Sequence, residues 1–274
     1  MNKTLQISFS LRNAYRVNGI LYSLKQIPLV KRALPETLYR VRGLKVFARV
    51  LSVLWEIISI FLGKFLYLLT MVVGIGMLYE TAPADGVYLH ILLCLTTIGA
   101  FMNTSLFNPS RDKYYAIILM RMDAREYTLL NYTHSILKVI IGFIPFTIWF
   151  GLSIGIPLWL CLLIPFSVAG AKMVVAAFSL WDYEKRGLVY NENKLRKHFW
   201  LFAGLLLAAA YGLPAAGVIL PVMVTGGLMV ALIPAGAVGL WKIVTFREYR
   251  EINQQLLAQM VNQMDSVAQV TQKQ

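Results

Sequence analysis

Residues Ile58–Tyr79 read ISIFLGKFLYLLTMVVGIGMLY. Glu80–Gly86 follow as ETAPADG, and a second apolar run, VYLHILLCLTTIGAFMNTSL, then covers Val87–Leu106. A hydrocarbon core of about 30 Å takes about 20 helical residues to cross, so each run is long enough to span it. The connector between them holds Glu80 and Asp85 but no Lys or Arg. Working outward, the apolar stretch from Val139 to Leu180 is long enough for two crossings and divides near Gly155-Ile156-Pro157. Phe199 to Trp241 is a second double stretch, with its bend at Gly217–Pro221. Six spans are predicted, and the fold class is all-α and polytopic.

The basic residues fall in alternate loops. Arg111, Lys113, Arg121, Arg125 and Lys138 lie between the second and third spans. Lys185, Arg186, Lys194, Arg196 and Lys197 lie between the fourth and fifth, and Lys242, Arg247 and Arg250 follow the sixth. Residues 1–49 carry ten basic side chains against the single acid Glu36, whereas the intervening loops carry none. Lys and Arg are retained on the cytoplasmic side of a membrane, so both termini are expected there, in a multi-pass protein of the cytoplasmic membrane. The N-terminus has neither a short apolar core nor a small-residue cleavage site, so insertion is expected from the spans themselves. Three segments follow: a basic N-terminal arm over 1–49, a six-helix membrane domain over 50–245 and a helical tail or linker over 246–274.

Composition agrees with that class and narrows the function. The 274 residues are 58% hydrophobic and only 14% charged, well beyond an ordinary soluble domain. A net charge of +13 would point to nucleic acid in a soluble chain, but no base-reading motif accompanies it and membrane-anchoring loops account for it. Partners are therefore membrane lipids rather than nucleic acid. Cys94 and Cys161 both lie in apolar runs, away from any disulfide or metal spacing. The phosphate loop GxxxxGK[ST], HExxH and GxSxG are all absent, and His90, His134 and His198 are scattered. No cofactor, metal or catalytic group is expected on this chain, and an enzyme is the least favoured class.

Two regions outside the spans carry structure. In the arm, Ile7, Leu11, Tyr15, Leu38, Val41, Leu44 and Phe47 recur at helical spacing among basic residues, with Pro28 and Pro35 between the two pieces. That is the pattern of interfacial helices, and a topological anchor and a mechanical role are both open. In the second loop, Ser110 is placed to cap a helix starting near Arg111, and Asp123 with Glu126 to cap the next. Between them, Lys113 to Met122 is too short to cross. Its aromatic, Met and Arg content suits protein docking, while its apolar residues equally suit lying on the membrane.

Within the spans, Glu56, Lys64 and Lys172 are the charges to weigh. A charge at mid-bilayer marks a pathway or a partner, but Lys also snorkels to the interface, which is the favoured reading for Lys172 and less so for Lys64. Small residues recur at a spacing of four in the last two spans: Gly204, Ala208, Gly212 and Ala216, then Gly227, Ala231, Ala235 and Gly239. Such stripes permit close helix approach in lipid, and a packed hairpin of the fifth and sixth spans is predicted, bent where Pro214 and Pro234 intervene. In the tail, Leu257, Met260, Met264 and Val267 follow three-four spacing, but the Gln-rich end favours a frayed helix or linker.

This architecture resembles the permease subunits of ABC exporters of the second, six-helix type. More specifically, Leu11–Asn18 (LRNAYRVN), Phe107–Ala116 (FNPSRDKYYA), Leu119–Tyr127 (LMRMDAREY) and Asp182-Tyr183-Glu184 are similar to a group of Firmicute ABC permeases of unassigned substrate. The resemblance implies an N-terminal elbow helix and a coupling helix that inserts into a groove of a partner ATPase. On this chain the coupling helix is Lys113, Tyr114, Tyr115, Ile118 and their neighbours to Arg121 and Met122, with Arg121 and Asp123 as its polar contacts. It further implies ABC ATPase subunits that carry ATP and Mg, and a second six-helix half that is identical, paralogous or fused. The function so implied is export of an unidentified amphiphilic peptide, lipid or drug by alternating access. A membrane assembly, regulatory or immunity factor with the same helices is the alternative.

Overall fold

A computed structural model describes residues 42–80, 82–104, 106–187 and 197–272, with residues 6–8, 10, 13–14, 17–19, 22 and 26 of the arm. Their regular structure is all helical, with no strand among the described residues. Helix α1 runs Arg42–Tyr67 and continues as a wider π turn, Leu68–Gly74; α2 is Ala84–Met102. The short α3 is Arg111–Tyr114, again continued by a π turn, Tyr115–Leu119. Then come α4 (Ala124–Ser153), α5 (Leu158–Arg186), α6 (Lys197–Ala215), α7 (Val222–Thr245) and α8 (Tyr249–Gln272). Six of these, all but α3 and α8, are long and apolar enough to cross a membrane.

The turns away from the basic loops form where Gly and Pro were placed to make them. Gly155 (φ +90°) and Gly217 (φ +75°) take the left-handed conformation that glycine adopts without steric cost. Behind each, a backbone amide reaches back to a helical carbonyl, Ile156 to Gly151 at 2.9 Å and Val218 to Leu213 at 2.9 Å, which closes the helix end. Pro157 and Pro221 then stand in extended conformation at the start of α5 and α7, as Pro83 does for α2. Proline gives up no needed donor at that position.

Helix boundaries differ from the sequence expectation on the basic side. The second span ends at Met102 rather than Leu106, and the third begins at Ala124 rather than Val139. At 1.5 Å per residue, α2 and α6, with 19 residues each, are about 28 Å long and match a bilayer core. Helices α4 and α5, with 30 and 29 residues, reach about 45 Å and project beyond it. The projecting ends build a second core.

The first core joins α1, α2, α4, α5 and α7 around Tyr88, Leu92, Phe143, Ile164 and Met229. His90 ties α2 to the α6–α7 region: its Nε2 lies 3.1 Å from the Ala209 carbonyl, and its Nδ1 accepts from the Leu220 amide at 3.4 Å. The Tyr79 hydroxyl donates to the Tyr211 carbonyl and the Tyr211 hydroxyl to the Met71 carbonyl, each at 2.9 Å. Cys94 and Cys161 are buried free thiols.

The predicted close packing of α6 on α7 is corrected by the geometry. A Cβ built at Gly204, Gly212 or Gly227 meets nothing within 4 Å, and Ala208, Ala231 and Ala235 are exposed. Instead α6 lies on α2, and α7 lies on α5. Only Gly239 of the predicted stripes is engaged, its would-be Cβ falling 2.8 Å from the Met173 carbonyl oxygen. The tightest contact is one residue out of register with the stripe: a Cβ on Gly236 would sit 2.4 Å from Gly170 Cα, and one on Gly170 2.2 Å from the Leu232 carbonyl oxygen. Pro234 lies inside a continuous α7, and Pro214 sits one residue before the end of α6.

Of the arm, Ser8 donates to Asn131 of α4 at 3.3 Å, and Val17 is buried. Phe47 is exposed at the start of α1. Leu11, Tyr15, Leu38 and Val41, on which the interfacial-helix expectation rests, lie outside the described residues.

Candidate functional site

The short helix α3 is held by what its buried face touches. Ala116 and Ile117 enter the second core beside Leu106, Phe107, Tyr127 and Leu180, together with Ile252 and Leu256 of α8. Lys113 is only 6% exposed, and its Nζ donates to the Leu106 carbonyl at 3.1 Å. That corrects its expected place among the docking contacts, because its ammonium fastens the loop that precedes the helix. Tyr127 donates to the Asp112 carboxylate at 3.3 Å and secures the first turn to α4.

Helix α3 ends earlier than the expected Met122. Arg121 adopts φ +52°, a left-handed conformation costly for a side chain with a Cβ, and the Met122 amide closes back on the Ala116 carbonyl at 3.0 Å. Ser110 stands before the first turn without a side-chain capping bond. Asp123 does cap α4, accepting from the Glu126 amide at 2.6 Å, and is exposed. Tyr114, Ile118 and Met122 lean on the core. The outer rim consists of Tyr115 (44% exposed), Leu119 (56%) and Met120 (50%), followed by the exposed Arg121.

The tail completes this end of the molecule. Helix α8 buries Tyr249, Ile252, Asn253, Leu256 and Leu257. Asn253 Nδ2 donates to Thr128 Oγ1 at 3.1 Å, and the Phe107 and Tyr249 ring centroids lie 5.7 Å apart. The Tyr249 hydroxyl donates to the Ile243 carbonyl at 2.7 Å; burial pushes its pKa above the usual tyrosine range, against the pull of Arg125. Arg125 donates to the Val244 carbonyl at 2.6 Å, and Lys242 bridges α7 to Glu184 of α5 at 2.6 Å.

The charges of the spans converge on one region. Glu56 of α1 pairs with Lys138 of α4, and His134 lies 4.0 Å from the same carboxylate oxygen. Lys64 stands 5.6 Å from the centre of the Phe143 ring. Lys172 reaches toward the basic end of the spans, where it donates to the carbonyls of Gly99, at 3.3 Å, and Asn103, where α2 ends. A cation there meets the last carbonyls of α2 and the negative end of its helix dipole. Lys138, read in the sequence as a loop residue, belongs to this group. The available signal was its four-residue spacing from His134 on a helix that starts at Ala124.

No group of three His, Cys, Asp or Glu side chains among the described residues is placed to hold a metal. No protein-family model, curated protein or solved structure matches the chain.

Proposed function

We propose that this chain is one six-helix half of the membrane permease of an ATP-driven ABC exporter, seated in a bacterial cytoplasmic membrane with both termini in the cytoplasm. The observation that carries the reading is the short α3 between two spans. It is fixed on one face by the second core and presents Tyr115, Leu119, Met120 and Arg121 on the other. Aromatic, Met and Arg side chains on a rigid backbone are what an interface anchor requires. The basic loops gather at this same end, the end that the charge rule assigns to the cytoplasm, where a soluble ATPase is found.

In this mechanism two partner ATPases close on ATP, and closure pulls or releases α3. Because α3 is packed against the extended ends of α4 and α5 and against α8, its displacement moves those helices as a body. Two six-helix halves then exchange between inward-open and outward-open states. The exposed small residues of α6 and α7 leave room for a second half to approach closely.

Arg121 supplies the test. Arg121→Gly suits the left-handed backbone and removes the guanidinium, while Arg121→Glu reverses its charge. Both variants should fold and insert, and both should lower recovery of the ATPase with the purified chain by about tenfold or more. Unchanged complex formation and transport would remove Arg121 from docking. A chain that purifies without an ATPase under any condition would favour the assembly or regulatory factor.

A further inference from the structure

Between α1, α2, α4 and α5 lies a cavity of about 610 Å³, within the range of about 300–1,000 Å³ usual for small-molecule sites. Its lining combines the cations Lys64, Lys138 and Lys172 and the hydroxyls of Ser59 and Ser135 with Tyr67, Met71, Leu95, Phe143 and Val168. At 1.5 Å per residue, Met71 lies about 10 Å beyond Lys64 along α1, Phe143 about 8 Å beyond Lys138 along α4, and Val168 about 6 Å beyond Lys172 along α5. On each helix the cation lies nearer the basic end than the apolar residue that follows it into the membrane, and between helices Lys64 stands beside Phe143.

The cations are unequally balanced. Lys138 has the Glu56 carboxylate. Lys172 has the carbonyls of Gly99 and Asn103. Lys64 has the face of Phe143, and among the described residues no carboxylate pairs with it. An ammonium beside hydrocarbon calls for an anionic partner, and the cavity in front of Lys64 has room for one.

We propose that this cavity binds an anionic amphiphile, its phosphate or carboxylate headgroup held by Lys64 with Lys138 and Lys172, and its apolar tail lying toward Tyr67, Leu95 and Val168. The site needs no transport activity, and binding reads it whether or not the chain works with an ATPase.

The experiment is native mass spectrometry of the full chain released from a neutral detergent, titrated in turn with lysophosphatidic acid, lysophosphatidylcholine of the same tail, and inorganic phosphate. Lysophosphatidic acid should bind tightest, with the zwitterionic lipid and the free anion each weaker by about tenfold, the worth of one good ionic contact. Lys64→Gln should lose about tenfold for lysophosphatidic acid, and Lys64→Arg should retain it. Met71→Trp, which fills the apolar end and leaves every lysine in place, should weaken binding as well and serves if Lys64→Gln does not fold. Equal binding of lysophosphatidylcholine would reduce the site to lipid contact. Equal binding of inorganic phosphate would make it a site for a free anion. Unchanged binding in Lys64→Gln or Met71→Trp would place the lipid elsewhere, and each of these results overturns the proposal.

Discussion

Gly170 and Gly236 show how a single missing methyl group sets a helix crossing. In lipid, helices gain nothing by hiding apolar surface from one another, so close van der Waals approach has to hold them together. With a would-be Cβ of Gly236 2.4 Å from Gly170 Cα, Gly236→Ala forces the α5 and α7 backbones apart. Overpacking of this kind costs about 1–3 kcal/mol, and the thermal unfolding midpoint in detergent should fall. Gly227→Ala, where the added methyl group meets open space, should leave it unchanged or raise it, since Ala favours a helix over Gly by up to about 1 kcal/mol. Equal losses in both variants would contradict the crossing. The sequence showed that the last spans are rich in small residues, but not which face of them turns inward. The spacing of four from Gly227 predicted a neighbour at Ala231 and Ala235, and the contact was made by Gly236, one residue on. Lys138 was obscured for a different reason: α4 begins at Ala124, well before the apolar run that betrayed it.

Among the elements, the turns were the most legible and the tail the least. Gly155 and Gly217, each followed by a proline, have a local conformational cause that no distant contact needs to supply, and both bends fell where they were expected. Asp123 likewise capped α4 as predicted, because its partner is three residues away. Helix α8 depends on remote partners. Its Gln-rich end reads as a frayed helix or linker, yet Leu256 and Leu257 are each 1% exposed, because the ends of α4 and α5 reach past the bilayer length to cover them. Leu256→Ala should therefore cost about 2–5 kcal/mol and speed hydrogen exchange in α8 and α3 together. Gln255→Ala, on the exposed side, should stay within about 0.5 kcal/mol of the parent. If α8 amides exchange equally fast in the parent and in Leu256→Ala, the tail is not part of the second core.

For the molecule as a whole, the alternation of basic and non-basic loops and six crossings of sufficient length are properties of the chain itself. The step to an ATP-driven permease rests on resemblance and on the placement of α3. Two ends of unlike character result: one of Gly-Pro turns without a basic residue, the other with a packed second core, a presented short helix and most of the charge. A soluble motor at one end and none at the other is the central claim. It is tested most directly by a photoreactive amino acid placed in the full chain at Tyr115 or, separately, at Ala84, irradiated in intact cells. The account predicts that position 115 crosslinks to a soluble ATPase bearing a phosphate loop and that position 84 does not. Crosslinks from position 115 to lipid alone, or the same ATPase captured from position 84, would contradict it.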